Sequence, residues 1–195
     1  MKLSDGMELL KRYGIPIPRY CVTEKLGEAK RFSENVGYPV VLKINSPVHK
    51  TDIGGVSLGV CKENIEREFK KILKLGKEVV VQEQVKGIET IVGCIKDSQF
   101  GRCISFGGGG IFVEVLKDVN FRVCPITKKD AISMIKESRI YKVLRECRGK
   151  KYNIEGIVDV LVKVSEFALK ERVNELDINP LICSEKKVWA VDVRI

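Results

Sequence analysis

Apolar and polar residues recur along this 195-residue chain with two different periods, and these periods predict its helices and strands. Helical spacing is found at 4–13, 23–35, 63–75, 128–137, 141–146 and 154–170. Apolar runs typical of strands are found at 40–44, 56–60, 79–84, 89–96, 103–106, 112–116, 121–124, 175–183 and 188–195. Ser4 is the expected cap of the first helix, and Thr23 begins the second. Because helices and strands are mixed throughout, we predict an α+β fold.

The chain is expected to form two lobes that meet near residue 85. The first lobe, 1–84, contains the run Val40–Ile44, which is so apolar that it predicts a strand covered on both faces. Val56–Val60 is its expected antiparallel neighbour. The second lobe, 85–195, ends in a hairpin of two apolar strands.

This C-terminal hairpin predicts a metal site. Its turn lies in 184–187, and a symmetric hairpin centred there pairs residues whose numbers add up to 371, as 184 and 187 do. Asn179 then lies opposite Asp192, with Cβ atoms roughly 5 Å apart, and Asp177 lies on the same face two residues back. Three oxygen-bearing side chains suit Mg²⁺, which takes further ligands from phosphate and water. The alternative is that these are ordinary polar residues of an edge strand. Strands that are otherwise so apolar rarely place two acids and an amide on one face.

Lys43 lies within the apolar strand Val40–Ile44. A lysine there is seldom buried without a partner, so it either reaches solvent or binds an anion, and we favour a nucleotide phosphate. Glu83 and Glu89 flank a short link at the lobe junction. A carboxylate there can accept hydrogen bonds from ribose hydroxyls, and the backbone of the link at Val85 can bind an adenine edge. Solvated surface glutamates are the alternative.

The only histidine, His49, lies in a polar loop that closes on Gly54 and Gly55. A lone loop histidine is often a solvated side chain, and with no second histidine or nearby Ser–Asp pair, zinc sites and hydrolytic triads are disfavoured. The remaining chemistry is nucleophilic: the imidazole takes up a phosphoryl group as phosphohistidine. Lys50 would neutralise phosphate charge, and the two glycines would let the loop move.

The glycine run 107–110 leaves a backbone free to approach a ligand closely, and its N–H groups could bind an anion. A mobile hairpin is the alternative. The run lacks the lysine of the pattern G-x-x-x-x-G-K-[ST], which excludes a P-loop.

Composition narrows the class of partner. The formal charge of +9 favours polyanions, but the 35 basic residues are scattered, so a lysine-rich surface explains most of it and nucleic-acid binding is not expected. Seven cysteines without C-x-x-C spacing predict reduced thiols. No apolar run approaches the ~18 residues of a membrane span. Charges also stand where an export signal needs an apolar core, so we expect a cytoplasmic protein with no membrane partner.

Several motifs occur together and in an order that is similar to a known family. They are L-L-K-R-Y-G-I-P (9–16), G-Y-P-V-V-L-K-I (37–44), S-P-V-H-K-T-D-I-G-G-V (46–56), F-G-G-G-G-I-F-V-E (106–114) and E-L-D-I-N-P-L-I (175–182). The chain resembles, nearly end to end, the β subunit or ATP-grasp domain of the ADP-forming acetyl-CoA (acyl-CoA) synthetases, which are related to succinyl-CoA synthetase. One departure is Glu146, which stands where the family often has glycine. Another is the segment between Val60 and Val79, which is short.

The resemblance implies an ATP-grasp fold in which two α/β lobes clamp a nucleotide. It implies the reversible reaction of acyl-CoA, ADP and phosphate to carboxylic acid, ATP and CoA. It makes His49 a phosphohistidine on a loop that carries the phosphoryl group to ADP, oriented by Glu114. The other family positions fall on residues already named: phosphate on Lys43, adenine and ribose on Glu83 and Glu89, and metal on Asn179 and Asp192.

The implied partner is a separate CoA-binding α subunit with its own phosphohistidine, in an α2β2 heterotetramer. One alternative is an ATP-grasp carboxylate–amine ligase, which forms an acyl phosphate directly. Another is a non-catalytic nucleotide-sensing module of an acetyltransferase system. The phosphorylation state of His49 separates these functions, because only the synthetase needs a phosphohistidine.

Overall fold

The computed structural model describes residues 1–47, 54–110, 118–147 and 149–195. They form two compact units. The first unit consists of Met1–Gly6 and Pro18–Val85, and the second of Met7–Ile17 and Lys86–Ile195. Helix α1 (Leu3–Arg12) therefore begins in the first unit, and its later residues cluster with the second.

Residues 7–17 differ from the expected division, which assigned all of 1–84 to the first lobe. The ring of Tyr13 packs edge-on against Phe167, with 4.9 Å between the ring centroids. The carbonyl of Pro16 also accepts a hydrogen bond of 2.9 Å from the N–H of Ala190. These contacts join the segment to the second unit, and a pattern of local periodicity does not reveal them.

The first unit is an antiparallel sheet with helices on one face. Its elements are β1 (Tyr20–Thr23), α2 (Leu26–Val36), β2 (Val40–Ile44), β3 (Val56–Val60), α3 (Ile65–Leu73) and β4 (Val79–Glu83). The strand order is β1-β4-β2-β3, and each neighbouring pair is antiparallel. The predicted pairing of β2 with β3 is confirmed.

Helix α3 packs on this sheet because its apolar residues recur at helical spacing. Ile65, Phe69 and Ile72 lie three or four positions apart and are at most 2% exposed. They form one core with alternate residues of the strands, namely Val40, Leu42, Ile44, Val60, Val79 and Val81. The residues between these, including Lys43, therefore point to the opposite face of the sheet.

Two local predictions in the first unit were wrong. Thr23 ends strand β1 rather than starting α2, and its hydroxyl accepts the N–H of Lys25 at 3.0 Å and donates to Glu28 at 2.6 Å. Ser4 lies inside α1 rather than at its cap, and its N–H donates to the side chain of Asn45. In both places a hydroxyl residue near a helix start, expected to begin or cap the helix, has a different position in the structure.

The second unit is also an antiparallel sheet covered by helices. Its elements are β5 (Ile88–Asp97), β6 (Gly101–Gly108), β7 (Val119–Val123), α4 (Lys128–Glu137), α5 (Tyr141–Arg145), α6 (Ile154–Lys170), β8 (Glu175–Cys183), β9 (Val188–Ala190) and β10 (Val193–Arg194). The order is β10-β8-β5-β6-β7, with β9 also paired to β8. The bounds of α4, α6 and β8 are those that the sequence predicts, because each has an uninterrupted period. The predicted strand 112–116 lies outside the described residues.

The predicted strand 188–195 is divided in the structure into β9 and β10. The division falls opposite Pro180, which has no N–H to donate to a neighbouring strand. A proline in a strand therefore interrupts the ladder without ending the hairpin. None of the helices in the described residues is both long and apolar enough to cross a membrane.

Candidate active site

Lys43 lies in the middle of the first sheet. It is directly opposite Val80 of β4 and Val56 of β3 and is 5% exposed. Its side chain lies on the face of the sheet turned away from α2 and α3, because its neighbours Leu42 and Ile44 pack in the helical core. This placement puts a cation, withdrawn from solvent, on the face of the sheet opposite α2 and α3.

A backbone hydrogen bond between described residues closes the connection from β2 to β3. The N–H of Ile44 donates to the carbonyl of Gly55 at 2.9 Å, so Gly55 is held against the end of β2 just before β3 begins. Gly54 precedes it with φ of 66°, a conformation that favours glycine. His49, predicted to carry the phosphoryl group, and its neighbour Lys50 lie outside the described residues.

Glu83 is held by a cation of its own unit. Its carboxylate accepts from the guanidinium of Arg19 at 2.9 Å, which raises the pKa of Arg19 above its ordinary value. Val79 and Val81 face the helical core, so alternation places Glu83 on that side of the sheet and not on the side of Lys43. The polar side chain of β4 that shares the face of Lys43 is Gln82, which is 1% exposed. Gln82 is not among the residues predicted from the sequence, although alternation along β4 places it on this face.

Val85 lies in the link between β4 and β5, outside any regular element. Within the part of the chain that the structure describes, its N–H and C=O take part in no hydrogen bond. An unpaired donor and acceptor are what an adenine edge requires, so the geometry is compatible with the predicted role.

Glu89 stands at the start of β5, next to the glycine run. The N–H of Gly109 donates to the carbonyl of Glu89 at 2.8 Å. A Cβ atom at Gly109 would lie 2.8 Å from the carbonyl carbon of Glu89, and one at Gly110 would lie 2.8 Å from its Oε2. Gly109 and Gly110 therefore have no room for a side chain beside Glu89, whereas a Cβ atom at Gly107 would clash with the carbonyl oxygen of Asp118. Glu114, further along the same segment, lies outside the described residues.

The C-terminal hairpin has the register that the sequence predicts. Leu181 pairs with Ala190 and Val193 with Ile178, and in each pair the residue numbers add up to 371. Asn179 lies opposite Asp192, and its N–H donates to the carbonyl of Asp192 at 3.3 Å. The structure thus brings together the two residues that the register argument placed side by side.

Asp177, Asn179 and Asp192 share one face of the second sheet. Leu176, Ile178, Val191 and Val193 alternate with them and are 8% exposed or less. The three polar residues therefore point away from the buried side, on which α6 packs against β5, β6 and β8. Among the described residues, no group of three or more His, Cys, Asp or Glu side chains is placed to hold a metal. A cation here would depend on the amide of Asn179 and on phosphate oxygens, which fits the few protein ligands that Mg²⁺ takes.

An irregularity in β8 lies at Asn179. Thr90 of β5 pairs with Leu181, whereas Val92 pairs with Ile178, so β8 has one residue more than β5 between these two pairs. Such a bulge redirects side chains and is common beside functional sites. Asn179 is consequently exposed, and the face that carries it also carries Glu89, about 7 Å away along the strands. Four predicted residues therefore line one face of the second sheet, and Lys43 lies on the face of the first sheet opposite its helices.

Comparison with known proteins gives matches along the whole chain. A family model described as an ATP-grasp domain matches residues 1–195. The β subunit of acetate–CoA ligase [ADP-forming] I from Pyrococcus furiosus is 44% identical over 206 residues, covering 98% of this chain and 89% of that subunit. Acetate–CoA ligase [ADP-forming] I from Archaeoglobus fulgidus is 42% identical, over a region that covers 98% of this chain and 30% of that protein.

Solved structures of one archaeal enzyme are similar to this chain. The dinucleotide-forming acetyl-coenzyme A synthetase 1 of Ca. Korarchaeum cryptofilum, in complex with coenzyme A, Ca-AMPCP and HgCl⁺, has a TM-score of 0.90 at 36% identity, covering 99% of this chain and 91% of that chain. A complex with coenzyme A and Mg-AMPPCP has its phosphohistidine segment pointing towards the nucleotide-binding site (TM-score 0.83, 39% identity, 98% and 89% covered). A third has a phosphorylated segment in the site I orientation (TM-score 0.84, 34% identity, 99% and 91% covered).

Proposed function

The chain belongs to the ATP-grasp domain family, and from that premise we propose that it is the nucleotide-binding subunit of an ADP-forming acyl-CoA synthetase. The reaction converts acyl-CoA, ADP and phosphate into carboxylic acid, ATP and CoA, and it is reversible. The observation that carries the proposal is the end-to-end similarity to a β subunit of this activity, which extends over 98% of this chain and 89% of the relative.

His49 is proposed to carry the phosphoryl group. In the direction of ATP synthesis, a terminal phosphate oxygen of ADP attacks the phosphorus, the bond from phosphorus to the imidazole nitrogen breaks, and its electron pair returns to the ring. The segment of His49 would move between sites, and two described orientations of the phosphohistidine segment in the Ca. Korarchaeum cryptofilum enzyme support this. Glu114 is proposed to orient the phosphorylated ring.

Lys43 is proposed to contact the phosphates. Its position on the face of the first sheet opposite the helices, at 5% exposure, places a positive charge in a medium where it is weakly screened. Gln82 shares that face and is a second candidate for contact with the nucleotide. Gly54 and Gly55 end the segment of His49, and Val85 offers a backbone donor and acceptor to the base.

Asp177, Asn179 and Asp192 are proposed to hold Mg²⁺, which would draw charge from the phosphate oxygens as the phosphoryl group transfers. The complex of the archaeal relative with Mg-AMPPCP supports this metal. Glu89 lies on the same face and would accept hydrogen bonds from ribose hydroxyls. Glu83 is proposed to lie on the adenine side of the nucleotide. Its carboxylate is paired with Arg19, which fixes its position at the end of β4.

A CoA-binding α subunit with its own phosphohistidine is the proposed partner, in an α2β2 heterotetramer. The name "subunit beta" of the P. furiosus relative supports a second subunit, and the longer A. fulgidus protein supports a fused form in which the chain matches 30% of the length. We place the reaction in the cytoplasm, a reducing compartment, since the seven cysteines are free thiols.

The experiment that tests this function is phosphorylation of the isolated chain by Mg-[γ-³²P]ATP. We expect about one acid-labile phosphoryl group per chain, and none in His49→Asn, which keeps a polar side chain but lacks the ring nitrogens. Lys50→Ala is a control for the same segment and should still be labelled, more slowly. A carboxylate–amine ligase or a nucleotide sensor would leave the wild-type chain unlabelled.

A further inference from the structure

Asn45 joins the end of β2 to two distant parts of the first unit. Its side chain is 8% exposed. Its Oδ1 accepts the N–H of Ser4, and its Nδ2 donates to Ser4 Oγ and to Glu78 Oε2, each at 3.0 Å. Its backbone N–H donates to the carbonyl of Glu78 at 3.1 Å. The amide thus uses its acceptor and both of its donors, which fixes its orientation.

The two partners of Asn45 are held in turn. Ser4 lies in the first turn of α1, so Asn45 satisfies one of the N–H groups that a helix start leaves unpaired. Glu78 also binds the ammonium of Lys2 at 2.9 Å. Hydrogen bonds from Lys2 and then from Asn45 hold the pKa of the Glu78 carboxyl below its ordinary value. Glu78 is therefore a charged acceptor at neutral pH, and a charged acceptor forms the stronger hydrogen bond.

This anchor lies at the exit from the sheet. The hydrogen bond from Ile44 N–H to Gly55 O closes the ladder of β2 and β3, so Asn45 is the first residue beyond it. His49 follows four positions later in the sequence. Among the residues that the structure describes, the hydrogen bonds of Asn45 hold the start of the segment that carries the histidine, and their partners are Ser4 and Glu78, which have no proposed catalytic role.

We infer that Asn45 is a positioning residue for phosphoryl transfer, which anchors the β2 end of the segment that carries His49. This inference rests on the proposed function. Transfer requires the imidazole to reach the phosphate with its atoms aligned, and a displacement of about 1 Å can cost about a hundredfold in rate. A fixed origin for the segment restricts the positions that the histidine can take. Asn45 acts through His49 and contributes nothing to nucleotide binding.

The test compares the rate of phosphorylation with nucleotide affinity in Asn45→Ala. The rate of His49 labelling is measured in a single turnover with Mg-[γ-³²P]ATP by rapid quench, and the Kd for Mg-ATP by calorimetry. We expect the rate to fall roughly 10- to 100-fold while Kd stays within about twofold of the wild type. Lys2→Ala is the matched control, since it removes the exposed ion pair with Glu78 and leaves all hydrogen bonds of Asn45 in place. It should be labelled at the wild-type rate.

Two further variants separate positioning from general loss of stability. Ile72→Val weakens the core of the same unit at a buried position of α3, and its labelling rate should stay near that of the wild type. Glu78→Ala removes one acceptor of the Asn45 amide but leaves Ser4, so it should slow labelling by a smaller factor with Kd unchanged. If Asn45→Ala does not fold, the labelling rate and the Kd of Glu78→Ala test the inference in its place.

The possible results distinguish this inference from the function on which it rests. Labelling of Asn45→Ala at the wild-type rate would overturn the inference alone. A parallel loss of labelling rate and Mg-ATP affinity would also overturn the inference, because a merely structural role of Asn45 would produce it. A wild-type chain that takes up no label would overturn the proposed function, and the role of Asn45 with it.

Discussion

The glycine run shows how a single atom determines a residue type. Gly109 and Gly110 lie so close to Glu89 that a Cβ atom at either position would approach it to 2.8 Å. Gly27 in α2 differs, since a Cβ atom there would have no neighbour within 4 Å. The same amino acid is therefore required at one place and replaceable at the other.

We expect Gly109→Ala and Gly27→Ala to change stability in opposite directions. Gly109→Ala should lower the free energy of unfolding by about 1–3 kcal/mol, because backbone atoms of Glu89 have to shift. Gly27→Ala should raise it by up to about 1 kcal/mol, the difference in helix propensity between alanine and glycine. Urea unfolding of both variants measures this, and a Gly109→Ala protein as stable as the wild type would show that the close approach to Glu89 is not required.

At the scale of elements, the C-terminal hairpin places the proposed metal ligands. Its register follows from the position of one polar turn between two apolar strands, which is why the pairing of Asn179 with Asp192 could be predicted. The bulge opposite β5 could not be predicted, because it depends on how β8 pairs with a strand that is distant in sequence. The bulge lies at Asn179, one of the proposed metal ligands.

We expect the double variant Asn179→Ala plus Asp192→Ala to weaken binding of Mg-ADP roughly 10- to 100-fold, the usual cost of disturbing a metal site. Binding of ADP without magnesium should not weaken, because the variant removes a negative charge from the neighbourhood of the phosphates. Calorimetry with and without EDTA separates the two. Asp130→Asn, which removes a half-buried carboxylate from the cap of α4, is the charge-matched control. Equal loss of affinity with and without magnesium would contradict the metal assignment.

At the scale of the whole molecule, hydrogen bonds and cations hold several carboxylates ionised. The pKa of Glu68 is lowered by the hydroxyl of Ser57 and then by Arg67, that of Glu78 by Lys2 and then by Asn45, and that of Glu66 by Lys70 and Lys30. A carboxyl whose pKa is lower in the folded state binds fewer protons than in the unfolded chain. Its contribution to stability is therefore present above its ordinary pKa and is lost as the pH falls through the folded value.

Stability should accordingly be constant near neutral pH and fall as the pH passes below 4.5, the ordinary pKa of these glutamates. Glu68→Gln should flatten the decline, since the amide still accepts from Ser57 but does not titrate in this range. Urea unfolding at a series of pH values from 7 to 3 measures both. The same stability for the wild type at pH 6 and pH 3 would refute the argument.

Local periodicity predicted most of this fold, and long-range contacts account for what it missed. Helices α4 and α6 have the bounds of their apolar patterns, because their burial follows the helical period. The packing of residues 7–17 with the second unit depends on partners such as Phe167 and Ala190, more than 150 positions away. For the site, register placed the hairpin residues correctly. Alternation along β4 accounts for the positions of Glu83, beside the helices, and of Gln82, on the face of Lys43.

The central claim is that His49 passes a phosphoryl group to ADP, and discharge of the phosphorylated chain tests it most directly. The chain is labelled with Mg-[γ-³²P]ATP, freed of nucleotide and mixed with Mg-ADP. We predict that the label leaves the protein and is recovered as ATP, about one per phosphorylated chain, with nothing transferred from His49→Asn. Label that stays on the wild-type protein in the presence of Mg-ADP, or that is equally present in His49→Asn, would contradict the account.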